Sequence, residues 1–378
     1  MSVKSVLVVA SLVLSIIIGV VIAKRGSGAA ASLDPSGERR IQIGLSLDTL
    51  KEARWGKDRD AFVKRAAELG AHVSVLSANS DDSAQVRDIE SLITSHVDVI
   101  VIVPHDGKAM AKGVELAHAA GIPVIAYDRL ISGQNLDLYI TFDNVRVGAL
   151  QAQYVLDQFE GRTRDRPVKV VRIYGSKTDN NAFMFKQGQD QALEKALAEG
   201  SVQVVHEDWA DDWKPENAKR IMNAALTKFG GAIEAVIASN DGTAGGAIQA
   251  LREEGVTGKI IVTGQDAELV ACQRIVGGEQ AMTIYKPVEK LAARAAEVAV
   301  AMSRGRPVVA SAVTNNGSVD VPSIFHEVIT VTKENLDRTV IADGFHSREA
   351  VYKGAAATHG AAPEPREVAP EAATGAAP

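Results

Sequence analysis

Cysteine is almost missing from this sequence: Cys272 is the single one among 378 residues. An internal disulfide is therefore impossible, and a cysteine-held metal cluster is excluded. In the apolar context ELVACQRIV the thiol reads as a small buried hydrophobe. Aromatic residues make up only 4% of the chain, with three tryptophans in all. Basic residues are not in excess either. The net charge of −6 argues against a nucleic-acid surface. Several motifs are absent as well. No G-x-x-x-x-G-K-[ST] or G-x-G-x-x-G follows a strand pattern, so a nucleotide cradle is unsupported. The 8 histidines are scattered without an H-E-x-x-H or a close pair, which leaves no zinc site. No G-x-S-x-G elbow is present. No cofactor and no metal are expected.

What is present begins with an apolar run. Lys4 is followed by VLVVASLVLSIIIGVVIA, Val6 to Ala23, without a charge, and then by the small residues Ala29-Ala30-Ala31. A short positive start, an apolar stretch and an A-x-A-like site form an export signal over residues 1–31. The run also reaches the ~18 to 20 residues that span a bilayer, so an uncleaved membrane anchor is the alternative. No cysteine lies nearby for lipid attachment. At the other end, residues 347–378 are rich in Ala, Pro, Gly and Glu without apolar periodicity, and are expected to be disordered.

Between about Ile41 and His346, β-rich runs alternate with helical patterns. The strand candidates are IQIGLSL, HVSVLSA, VDVIVIVP, IPVIAYD, LYITFD, VKVVRIYG, VQVVHEDW, AVIASND, KIIVTGQD and MTIYKP. Several are nearly continuous in Val and Ile, as befits parallel strands covered on both faces. The segments between them carry helical spacing, and several end in Gly. The expected fold class is α/β, with doubly wound parallel sheets and right-handed crossovers. So many strands fit two lobes of about five each better than one sheet, joined near Asp143 to Arg146.

In such sheets ligands lie beyond the carboxyl ends of the strands. Those ends read DTLKEARW, YDR, YGSKTDNN, DWADDW, SND, GQD and YKP, nearly all supplying Asp, Asn, Arg, Lys or Trp. The opposite ends, such as AELGAH and VTGK, are bland. Carboxylates and amides can pair with vicinal hydroxyls, and Arg and Lys donate to them. Trp offers a flat apolar platform to a C–H face. This is the composition of a monosaccharide site. Each residue also has a plainer role available. Asp128-Arg129 could be a loop-closing ion pair, and one of Asp179-Asn180-Asn181 should cap a helix, as should Ser239 or Asp241. Pro215 suits a first helical position. Trp55 could simply cap the core side of a helix start, Trp209 reads as core or rim, and Lys286 could be a solvated strand end. A glycosidase pair could be cast from Asp128 and Asp266. Strands ending in Asn and Arg suit holding a sugar better than cleaving one, so no catalytic residue is assigned.

Read together, RWGKDRDAFVKRAAELGA, IESLITSHVDVIVIVPHDG, IPVIAYDRLI, ITFDNVRVGALQA, DNNAFMF, DDWKPENA, ASNDGTAGGAIQAL, MTIYKP and DVPSIF resemble the periplasmic sugar-binding proteins of ABC transporters, in their ribose/xylose-binding group. The resemblance implies a type I binding fold: two doubly wound parallel-sheet lobes joined by three hinge crossovers. Its N-lobe would comprise residues 41–146 and 282–319, and its C-lobe 147–281 and 320–346. Carried over by position, the sugar contacts fall on Arg54, Trp55, Asp128, Arg129, Asp179, Asn181, Trp213, Asn240, Asp266 and Lys286. Trp55 and Trp213 would sandwich the sugar ring, with Trp213 rather than Trp209 as the second platform. The implied partners are a monosaccharide, D-xylose first, and a membrane permease. The implied state is an exported monomer in the periplasm or on the outer face of the cytoplasmic membrane. A broader aldose carrier and a sugar-sensing subunit for a membrane kinase or chemoreceptor are the alternatives.

Overall fold

The computed structural model describes residues 39–353. The expected export segment, residues 1–31, and the tail beyond residue 353 lie outside the described residues. Strands β1 (Gln42–Leu47), β2 (His72–Ser77), β3 (Val99–Val103), β4 (Val124–Tyr127) and β5 (Leu138–Phe142) alternate with helices α1 (Ala53–Glu68), α2 (Asp82–Thr94) and α3 (Ala111–Ala119). After α4 (Asn144–Gln158) come β6 (Val168–Tyr174), α5 (Asn180–Glu199), β7 (Val202–Trp209), α6 (Pro215–Phe229), β8 (Ala235–Ala238) and α7 (Asp241–Glu253). The chain continues through β9 (Ile261–Val262), α8 (Leu269–Gly277), β10 (Thr283–Tyr285), α9 (Val288–Ser303), β11 (Ala312–Asn315), β12 (Asp320–His326), β13 (Ile329–Val331) and α10 (Arg348–Tyr352).

Two main sheets result, a seven-stranded one in the order β11-β12-β5-β4-β3-β1-β2 and a four-stranded one in the order β7-β6-β8-β9. The four-stranded sheet is parallel throughout, and only the edge strand β11 runs antiparallel in the other. Period-two alternation explains why each sheet is covered twice. On β3, Val99, Val101 and Val103 join one apolar cluster, while Ile100 and Ile102 join another on the opposite face. On β6 and β8 the same split puts Val171, Ile173, Val236 and Ala238 on one face of the second sheet, and Val168, Val170, Ala235 and Ile237 on the other. A strand of VIVIV composition is stable only between two layers of helices, and that is where it lies.

The second sheet is extended by β10. Ala281 N donates to Val262 O, Ile284 N to Gly264 O and Asp266 N to Ile284 O at 2.8–3.2 Å, laying β10 beside the continuation of β9. Antiparallel β13 then pairs with β10. The chain thus changes sheets after β5, after β10 and after β12.

This corrects two of the expected lobe boundaries. Residues 282–285 belong with the second sheet. Residues 320–326, expected on the C-lobe, pair with β5 in the first sheet, with Ser323 opposite Tyr139 and His326 opposite Phe142. The later crossings fall at Lys286–Pro287 and Glu327–Val328. The onset of the tail is corrected too. Ser347 Oγ accepts from Ala350 N at 3.1 Å and caps α10, Gln273 Nε2 donates to Ala350 O at 2.8 Å, and Val351 is buried in the same cluster as Phe62, Cys272 and Phe345. One apolar side chain and a cap are enough to order a segment whose composition looks featureless.

Candidate functional site: a cavity between the two sheets

The carboxyl ends of both sheets face one cavity, about 350 Å³ of space not filled by atoms, with the open solvent at its mouth included. All the expected contact residues line it: Arg54, Trp55, Asp128, Arg129, Asp179, Asn181, Trp213, Asn240, Asp266 and Lys286. Glu52, Phe185 and Gln265 line it as well and had not been singled out. Each had a local signal. Gln265 sits in the strand-end triplet GQD, Phe185 lies one turn after Asn181 on α5, and Glu52 lies one turn before Trp55.

The first wall is a network of buried charges. Arg54, in the first turn of α1, donates to Asp58 one turn on (3.2 and 3.3 Å) and to Asp128 (2.7 Å). Asp58 also accepts from the Tyr127 hydroxyl. Arg129 reaches Asp48 (2.8 Å) and the carbonyl of Pro104 (3.1 Å). Asp128 and Arg129 therefore each find partners other than their sequence neighbour. Burial pushes the Asp128 carboxyl up, but Arg54, Lys286 and Arg129 together outweigh it and hold it below the usual carboxylate range. Burial prevails at Asp58 and raises it despite Arg54. Trp55 has both of its candidate roles. It is 3% exposed and packed in the cluster with Phe62 and Leu47, while also lining the cavity, and its Nε1 donates to Glu52 Oε2 at 2.9 Å. The guanidinium carbons of Arg54 and Arg129 lie 4.3 and 5.3 Å from its ring centroid.

The second wall is built from helix starts and strained turns. Asp179 caps α5 through the amide of Asn181 (2.9 Å). Asn240 caps α7, its Oδ1 accepting from Thr243 N and Oγ1 at 2.8 Å each, so that the cavity is offered its amide NH₂. Asp212 and Trp213 both have positive φ (53° and 57°), as does Asp266 (94°) on the same wall and Asp128 (61°) opposite. Such backbone strain collects at functional sites. The turn carries the Trp213 ring over Gly175, where any Cβ would come within 2.0 Å of it, and edge-on to Phe185 with centroids 6.2 Å apart. Trp209 packs instead on Tyr174 and Phe183, away from the cavity.

The walls touch directly. Arg129 Nε lies 3.0 Å from Asp179 Oδ2, Asn181 Nδ2 donates to Asp128 O at 3.1 Å, and Gly107 N donates to Thr178 O at 3.3 Å. Arg54 lies 3.7 Å from Asp266, whose other partner is Lys286 Nζ at 2.8 Å, on the second crossover. With carboxylates and cations nearly balanced, the cavity suits a neutral, hydroxyl-rich ligand more than an ion. Among the described residues no group of His, Cys, Asp and Glu is arranged to hold a metal.

Residues 43–307 match the model of the periplasmic binding protein domain. The chain belongs to the periplasmic binding protein family. It is a binding protein, not an enzyme, and it has that family's fold of two parallel sheets. Two relatives, the D-xylose-binding periplasmic proteins of Haemophilus influenzae and Escherichia coli, are each 46% identical over 82% of this chain and 92% of their own. The multiple sugar-binding periplasmic receptor ChvE of Rhizobium radiobacter is 32% identical, over 81% of this chain and 91% of its own. Among solved structures, a carbohydrate transporter solute-binding protein of Chloroflexus aurantiacus in complex with D-glucose superposes with a TM-score of 0.76 at 33% identity, covering 82% of this chain and 98% of its own.

Proposed function

We propose that this protein is an exported solute-binding protein that captures a monosaccharide, D-xylose first, between its two lobes and delivers it to an ABC importer. The observation that carries this reading is the cavity between the sheets, to which both contribute Asp, Asn, Arg and Trp at their carboxyl ends. D-xylose is placed first because the two relatives that bear this ligand in their names are 46% identical to the chain. The residues lining the cavity are its sugar contacts in this reading. Trp55 and Trp213 flank the ring, the carboxylates and Asn181 and Asn240 pair with its hydroxyls, and Arg54, Arg129 and Lys286 donate to its edge. Sugar stabilises closure because only the closed form brings both walls to it. The closed monomer then docks on a membrane permease, outside the cytoplasm.

A broader aldose carrier is the second reading, favoured by the likeness to a multiple-sugar receptor and to a glucose-bound solute-binding protein. One more hydroxymethyl group needs little room, so a pocket separates pentose from hexose only modestly, whereas a mispaired hydroxyl costs more. Titration calorimetry of the exported protein with D-xylose, D-glucose, L-arabinose, D-ribose and D-galactose tests both. One-to-one binding of xylose alone supports the first, comparable binding of several aldoses supports the second, and no heat from any of them removes both.

A further inference from the structure

We propose that Gln265 is a specificity-determining contact of the cavity, and that its side-chain oxygen and the indole NH of Trp213 form an acceptor and a donor awaiting ligand hydroxyls. The proposal rests on the sugar reading above and names two atoms within it. Gln265 is 2% exposed and follows the short strand β9. Its Nε2 donates to Ser239 O at 3.2 Å. A backbone carbonyl takes only a donor, so this bond sets which way round the amide lies. Oε1 is thereby held as an acceptor, and it is buried with no hydrogen-bond partner among the described residues. The main chain is pinned as well, because the carbonyl of Gln265 accepts from Asp241 N at 2.9 Å.

Trp213 Nε1 is the complementary case. It is a donor, buried and without a partner among the described residues. Its ring is wedged over Gly175 and against Phe185 and is not free to turn toward another acceptor. Buried polar atoms left unpaired are costly and rare in native proteins. An orphan acceptor and an orphan donor on residues of one cavity wall mark positions that a ligand completes. The pair also states the class of ligand. A carboxylate would satisfy the indole but face the Gln265 oxygen with another acceptor. An ammonium group would satisfy Gln265 but leave the indole unpaired. Hydroxyls both donate and accept, so a neutral polyol satisfies both atoms.

The test uses deoxy and deoxyfluoro forms of D-xylose, since fluorine cannot donate a hydrogen bond. Each is titrated by calorimetry against the wild type, Gln265→Met and Trp213→Phe. In the wild type, one position is expected where both hydrogen and fluorine cost roughly tenfold to a hundredfold in affinity. In Gln265→Met the parent sugar weakens by a similar factor and that position becomes insensitive. In Trp213→Phe a second position loses its dependence on an acceptor. Parent-like affinity in Gln265→Met, or analogue losses unchanged in both variants, overturns the inference while leaving the sugar reading intact. Should Gln265→Met not fold, the wild-type analogue series decides: absence of any position at which hydrogen and fluorine are both costly overturns the inference. Failure of the wild type to bind the parent sugar overturns the sugar reading itself, and this inference with it.

Discussion

The two walls of the cavity are made in different ways. The first is charged and largely complete in itself. Arg54, Asp58, Asp128 and Tyr127 bind one another within one lobe, and Asp128 and Arg54 reach the other wall only at the network's edge, at Asn181 and Asp266. The second is mostly neutral and open-ended, with two helix caps, two strained turns and the unpartnered buried polar atoms of Gln265 and Trp213. The difference teaches how one cleft serves both rigidity and closure. A charge network fixes geometry, because removing any member leaves another charge buried and unpaired. Caps and amides cost less to expose and re-pair, and so suit the wall that meets the ligand on closing.

The sharpest way to break the comparison is on the charged wall. Arg54→Met leaves Asp58 and Asp128 without their shared cation, and should cost about 3–5 kcal/mol of stability together with sugar affinity. Chemical denaturation without ligand reads the first and calorimetry the second. Next is Gly175→Ala on the neutral wall, where the new Cβ would meet the Trp213 ring at 2.0 Å. Moving the ring should cost about 1–3 kcal/mol and weaken binding, and an unchanged Kd would mean that Trp213 is not a platform. The smallest effect separates cap from contact at Asn240. Asn240→Ala loses the cap, about 1 kcal/mol, whereas Asn240→Asp keeps it. The aspartate variant should melt as the wild type does and still bind sugar more weakly, since it offers an acceptor where Asn240 offers a donor. Equal affinity in Asn240→Asp would limit this residue to capping.

Much of this could be read from the chain, for a physical reason. Parallel β/α units place every strand's carboxyl end on one face, so YDR, SND, GQD and YKP point to one place before any coordinates are known. Strands β1 to β10 were legible, most of them from Val and Ile content, whereas β11, β12 and β13 were not among the candidates. The crossovers were not legible. Thr283–Tyr285 could join either sheet, and nothing in the mixed composition of Asp320–His326 says which sheet receives it. Gln265 was overlooked because the neighbouring Asp266 carries the charge, although the amide is the residue with the unpartnered oxygen. Trp55 resisted an either-or reading, since its ring is at once core and cavity wall. It follows that Trp55→Ala would lower stability as well as affinity, and is a poorer probe of binding than the variants above.

Crystals grown with D-xylose test the central claim most directly. The account predicts a single sugar between Trp55 and Trp213, touching both walls, with hydroxyls on Gln265 Oε1 and Trp213 Nε1. A sugar held by one wall alone, or bound away from this cavity, would contradict it.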